Sequence, residues 1–154
     1  MSGLDRDILA ERVMVVRRHL VRVAERLPAH EGELRPATDP SDAVILHLWQ
    51  AVQIVIDVAV AACVRCDLGA PASYADAFRR LAGAGIIDQA LAERLARAAG
   101  FRNVVAHAYD ELDMRRVFRA ASEGPRDLER FLAMLAARLE MVGDIDGPSE
   151  PSVT

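Results

Sequence analysis

Phe101-Arg102-Asn103-Val104-Val105-Ala106-His107-Ala108-Tyr109 is the stretch of this chain where side chains suited to chemistry crowd together. A guanidinium forks onto phosphate oxygens, an imidazole exchanges a proton near neutral pH, and an amide and a phenol donate or accept hydrogen bonds. On a helix turning about 100° per residue, with Arg102 at zero, Asn103 falls at about 100°, His107 at about 140° and Tyr109 at about −20°. Val104, Val105 and Ala108 fill the remaining sector, which reads as the core face and turns the four functional side chains outward. As chemistry the set fits phosphodiester cleavage; as mere surface it would be a solvated helix face, and the pattern alone leaves both readings open. Neither a carboxylate pair nor a group of metal ligands lies nearby in sequence, so the cleavage expected needs no metal or cofactor. It would use the RNA 2′-hydroxyl as nucleophile and spare DNA.

The elements that must position these residues are helices. The chain has 154 residues, 52% apolar and 27% charged, enough for one globular domain with a real core. Only seven residues are aromatic and no strand-length alternation of β-branched with polar residues occurs, which argues against sheets. All 19 basic residues are arginine, and with 23 acidic ones the net charge is −4, so charge-driven coating of nucleic acid is excluded and any phosphate contact must be a local site. The longest uncharged run, Ala43 to Ile56, is too short for a bilayer span of roughly 20 residues. With no leader pattern and two cysteines inside an apolar stretch, a cytoplasmic protein without membrane contact is expected.

Leu9, Val13, Val16, Leu20, Val23 and Leu27 recur at steps of four and three, predicting a first helix over about Leu4 to Leu27. Pro28 to Pro40 reads as a connector, and Ser41 as the N-cap of a second helix reaching about Cys66. That helix is apolar nearly all round, as expected for a helix central to the bundle with a further face covered by a second subunit. Ser73 with Asp76 predicts a short helix over Tyr74 to Leu81, and Asp88 caps the next, in which Gly100 is a kink or a break. A short helical stretch then runs from Asp113 to Gly124-Pro125, and a last helix carries Leu128, Phe131, Leu132, Leu135, Leu139 and Val142 before Gly143. The expectation is an all-α antiparallel bundle of about five to six helices over residues 1–142, with a disordered tail over 143–154.

Arg102-Asn103-x3-His107-x-Tyr109 resembles the Arg-x4-His-x-Tyr motif of HEPN-domain toxins of the HepT-like group. Pro71-x-Ser73-Tyr74-x-Asp76-x-Phe78-x2-Leu81, Gly85-Ile86-Ile87 and Asp113 are similar to the family's surroundings of that motif, and the likeness spans roughly Ser41 to Leu139. Ala106 stands where a bulkier aliphatic is common. The resemblance implies a HEPN-like bundle, a two-fold homodimer whose motifs face one cleft, and a metal-independent endoribonuclease. It also implies an MntA-type nucleotidyltransferase antitoxin that adds AMP to the motif tyrosine. By that carry-over Arg102 and His107 are catalytic, Asn103 supports them and Tyr109 is the modified residue. A non-catalytic HEPN module presenting the same face to a nucleotidyltransferase or a nucleotide is the alternative.

Asp57 is an odd carboxylate in the apolar second helix, expected to have a partner, either Arg102 or His107 or a helix-one arginine. His47, Gln50 and Gln53 read as boundary residues, with a subunit contact as the other option. Cys63-x2-Cys66 lacks a second pair for zinc and reads as buried small residues. Arg17-Arg18 and Arg115-Arg116 read as solvated positions.

Overall fold

The computed structural model describes residues 3–145, with side chains through Glu140, and is a bundle of five helices with no strand among the described residues. They are α1 (Arg6–Arg26), α2 (Asp39–Arg65), α3 (Tyr74–Gly83), α4 (Gln89–His107) and α5 (Met114–Ile145), with 3-10 turns at Glu31–Glu33 and Tyr109–Glu111. The expected tail lies outside the described residues from 146 onward, as does the side chain of Val142. Helix α5 continues past Gly143, where its end was expected, to Ile145.

Helix α1 begins where Asp5 accepts a hydrogen bond from the Ile8 amide, 2.8 Å, and buries Leu9, Val16, Leu20 and Val23 against α2. Thr38, not Ser41, caps α2, and Pro40 sits in its first turn. Proline suits that place because its missing N–H would be unpaired there in any residue. Ser41 is instead buried, its hydroxyl donating to the Arg35 carbonyl. Twelve α2 residues are buried, from Ser41 through Val44, Ile45 and Leu48 to Cys63, because all four other helices pack on it. By length and hydropathy alone α2 could cross a membrane, but half of that stretch is buried inside the bundle. At the α1–α2 seam the Nδ1 atoms of His19 and His47 lie 3.0 Å apart, and burial followed by the neighbouring imidazole and arginines lowers the His19 pKa.

Ser73 caps α3, and the chain leaves that helix through Gly85, whose φ of +75° brings the Ile86 amide back onto the Leu81 carbonyl. Phe78 of α3 meets Phe131 of α5 edge to face, ring centroids 5.5 Å apart. Asp88 caps α4 as expected, accepting from the Leu91 amide at 2.7 Å.

The break expected at Gly124-Pro125 is absent, with Pro125 inside an uninterrupted α5, and at Gly100, a kink or a break by expectation, α4 is not broken. In α5 the buried residues Val117 and Ala121 before the proline and Leu128, Phe131 and Leu132 after it belong to one core-facing stripe. Packing along both halves keeps them in line despite the one backbone hydrogen bond a proline removes.

Candidate active site

The buried residues of α4 fix which way its functional end points. Leu91, Leu95 and Ala99 face the core, and Arg102 continues that stripe three residues on. The outward expectation is corrected for one residue and the inward one for another: Arg102 faces α2 and is half-buried, and Val104, expected on the core face, is 42% exposed, while Asn103 and His107 are exposed as expected. Val105 packs against the core as expected and Ala108 is half-buried, but Val104 is not on the stripe, which must be carried forward from the fully buried amino-terminal half of α4.

A guanidinium on a core stripe requires partners, and α2 supplies them. Arg102 Nε donates to Gln53 Oε1 at 2.6 Å, and Gln53 Nε2 donates to Asp57 Oδ1 at 2.9 Å. Its Cζ lies over two rings, 5.9 Å from the Trp49 centroid and 5.5 Å from that of Tyr74, distances at which the ring quadrupoles favour a cation. Arg102 Nη1 donates to Asn103 Oδ1 at 3.2 Å. No ion pair involves Arg102 among the described residues. Asp57 is exposed rather than buried, and it meets Arg102 only through Gln53, not directly and not through an α1 arginine. The Trp49 indole N–H is buried with no hydrogen-bond partner among the described residues.

His107 is the last residue of α4, exposed, and its ring makes no hydrogen bond to a described residue. Tyr109 lies beyond the helix, in the 3-10 turn, so its wheel angle does not apply. Its hydroxyl nevertheless returns to α2, donating to Asp42 Oδ1 at 2.6 Å. Burial first, then that hydrogen bond and the charge of Asp42, push the Tyr109 pKa up to about 12. Asp42, Trp49, Gln53 and Asp57 are spaced seven, four and four residues apart, one stripe of α2 within a sector of about 80°. The site is thus the seam where the carboxyl-terminal end of α4 and the turn after it run along one face of α2.

Trp49, Tyr74, Gln53 and Asp42 were not expected at the site. The available signal was Gln53 with Asp57, a polar pair four residues apart in the apolar middle of the helix. A hollow of about 500 Å3 adjoins Tyr74 and Asn103, walled by Ser73, Ala96, Ala99 and Gly100. A larger cavity of about 690 Å3 opens elsewhere, between α4 and α5, lined by Arg97, Phe101, Val104, Arg116 and Arg119, and includes neither Arg102 nor His107. Among the described residues no three His, Cys, Asp or Glu side chains are grouped to hold a metal ion. Among the described residues, the seam offers a cation held in place without a carboxylate partner, an imidazole with no hydrogen-bond partner and a phenol.

The family model described as Ribonuclease HepT-like matches residues 16–135. The chain is 28% identical over 131 residues to the mRNA nuclease HepT of Shewanella oneidensis, covering 85% of this chain and 98% of that one. The fold is similar to that of the tri-AMPylated Shewanella oneidensis HEPN toxin in its complex with an MNT antitoxin. There the TM-score is 0.77 at 27% identity, over 85% of this chain and 98% of that one. The Bacillus subtilis cytosolic protein YutE, at 16% identity, shares the fold with a TM-score of 0.76 over 96% of this chain and 97% of that one. A match over most of the bundle, motif included, settles the relationship: the chain belongs to the ribonuclease HepT-like family.

Proposed function

We propose that this protein is the endoribonuclease toxin of a toxin–antitoxin pair, acting as a homodimer on RNA. The observation that carries the reading is the Arg102 guanidinium, anchored on α2 yet without a carboxylate partner among the described residues, on the same helix as the exposed His107. Arg102 holds the scissile phosphate and offsets the charge that builds on its oxygens. The ribose 2′-oxygen attacks phosphorus and the 5′-oxygen leaves, giving a 2′,3′-cyclic phosphate and a 5′-hydroxyl. His107 moves the proton, taking it from the 2′-hydroxyl or delivering it to the leaving oxygen. Asn103, bonded to Arg102, helps set the phosphate site, and the hollow beside it leaves room for a substrate group.

The partner is a nucleotidyltransferase of the MNT kind, as in the Shewanella oneidensis complex. It adds AMP to Tyr109, the exposed phenol at the rim of the seam, and so places a bulky anion where the RNA phosphate would bind. The two thiols are free, Cys63 buried and Cys66 half-buried, which suits a reducing cytoplasm.

Induced expression without the partner tests the reading. Wild type is expected to arrest growth and fragment cellular RNA, while Arg102→Ala and His107→Ala do neither. Wild type and both variants behaving alike would refute it. For the modification, incubation with partner and ATP is expected to place AMP on Tyr109, and label persisting in Tyr109→Phe would exclude that site.

A further inference from the structure

We propose that Gln53 is the positioning residue of Arg102, and that it forces the guanidinium to receive phosphate end-on, through Nη1 and Nη2. The inference rests on the catalytic reading of Arg102 and adds how that group is aimed. Arginine has five N–H donors in a planar fork and can grip a phosphate side-on, through Nε and Nη2, or end-on, through the two terminal nitrogens. Gln53 Oε1 occupies Nε at 2.6 Å, which removes the side-on edge. Asn103 Oδ1 takes one N–H of Nη1. One N–H on Nη1 and two on Nη2 remain, and with Nε occupied the Nη1 and Nη2 pair is the two-nitrogen edge left for phosphate.

The amide of Gln53 could in principle face either way, but its two neighbours permit only one orientation. Arginine can only donate and an ionised carboxylate can only accept. Asp57 therefore claims the Gln53 NH2, 2.9 Å away, and turns the amide oxygen toward Arg102. Asp57, Gln53 and Arg102 form a relay in which a surface carboxylate fixes the amide and the amide fixes the guanidinium. The arrangement keeps the negative charge one side chain removed from Arg102, so the cation stays uncompensated until phosphate arrives. A direct carboxylate at Nε would tether the group equally well but weaken its attraction for phosphate.

Trp49 supplies an independent readout, because it is the only tryptophan in the chain and Arg102 lies over its ring. Three variants on a mixed-sequence single-stranded RNA test the inference: Gln53→Met, which keeps the length and apolar bulk but has no acceptor for Nε; Asp57→Asn; and Arg102→Ala. Gln53→Met is expected to lower kcat about 10- to 100-fold with KM little changed, since a misplaced group about 1 Å off costs rate rather than encounter. Its Trp49 emission should shift while the far-ultraviolet circular dichroism stays that of wild type. Asp57→Asn can still donate to or accept from the amide, so its loss should be smaller, about 5-fold or less. Wild-type kcat and Trp49 emission in Gln53→Met, with Arg102→Ala inert, would overturn the inference and leave the catalytic reading standing. Arg102→Ala cleaving like wild type would remove the catalytic reading and the inference together. If Gln53→Met fails to fold, Gln53→Ala carries the same comparison, with the same two results deciding it.

Discussion

Tyr109 donates to Asp42 while partly shielded from water, and both effects favour the neutral phenol. Its pKa stands at about 12, above the ordinary value near 10 of an unfolded chain. The sign of the linkage follows: the stabilisation is fully present below the unfolded value and is lost as pH rises through about 12. Asp42→Asn is expected to bring the phenol back toward its ordinary value, read by ultraviolet difference titration in a Tyr74→Phe background. No change in the titration midpoint would mean that the hydrogen bond does not hold the proton. In the proposed AMP transfer a phenol this reluctant to ionise needs somewhere to put its proton, and Asp42 lies within hydrogen-bond reach. The residue types of the motif were legible in the sequence, but their partners were not. Asp42, Trp49 and Gln53 belong to a helix some fifty residues upstream, and nothing local to Arg102 marks which face of α2 it will meet.

At the scale of elements, the helices and three of their caps, Ser73, Asp88 and the arrest of α1 before Pro28, follow from periodicity and capping chemistry alone. The errors share one cause. Pro125 and Pro40 read locally as punctuation and Gly100 as a kink or a break, whereas burial along α4 and α5 keeps both helices unbroken and a first-turn proline is part of its helix. The same competition makes a prediction. A Cβ built on Gly100 meets nothing within 4 Å, so Gly100→Ala adds no clash and removes backbone freedom from the unfolded chain. It is expected to stabilise the protein by about 0.5–1 kcal/mol, measured by denaturant titration with an unchanged slope. A destabilised variant would show that the α4 backbone at Gly100 does not tolerate a Cβ.

For the whole molecule, α2 joins the core to the chemistry. One side of it holds the bundle together through Ile45, Leu48, Val52 and Val55, and another carries the stripe that meets Arg102 and Tyr109. Leu46 and Val64 lie exposed on the same outer side as Gln53 and Asp57, where the proposed second subunit would add its own α4 ends to the groove. The fold class and the family resemblance were legible because both rest on patterns within single segments. The orientation of Arg102 was not, because it is a property of the α2–α4 packing.

The central claim is that Arg102 and His107 act together on a ribose-phosphate linkage through its own 2′-hydroxyl. The most direct measurement is cleavage, by chelator-treated protein, of paired RNA oligonucleotides that differ only by a single 2′-deoxy sugar at the cut site. The deoxy linkage is expected to resist while the all-ribose strand yields a 2′,3′-cyclic phosphate, and Arg102→Ala and His107→Ala are expected to cut neither. Equal cleavage of the deoxy linkage would contradict it.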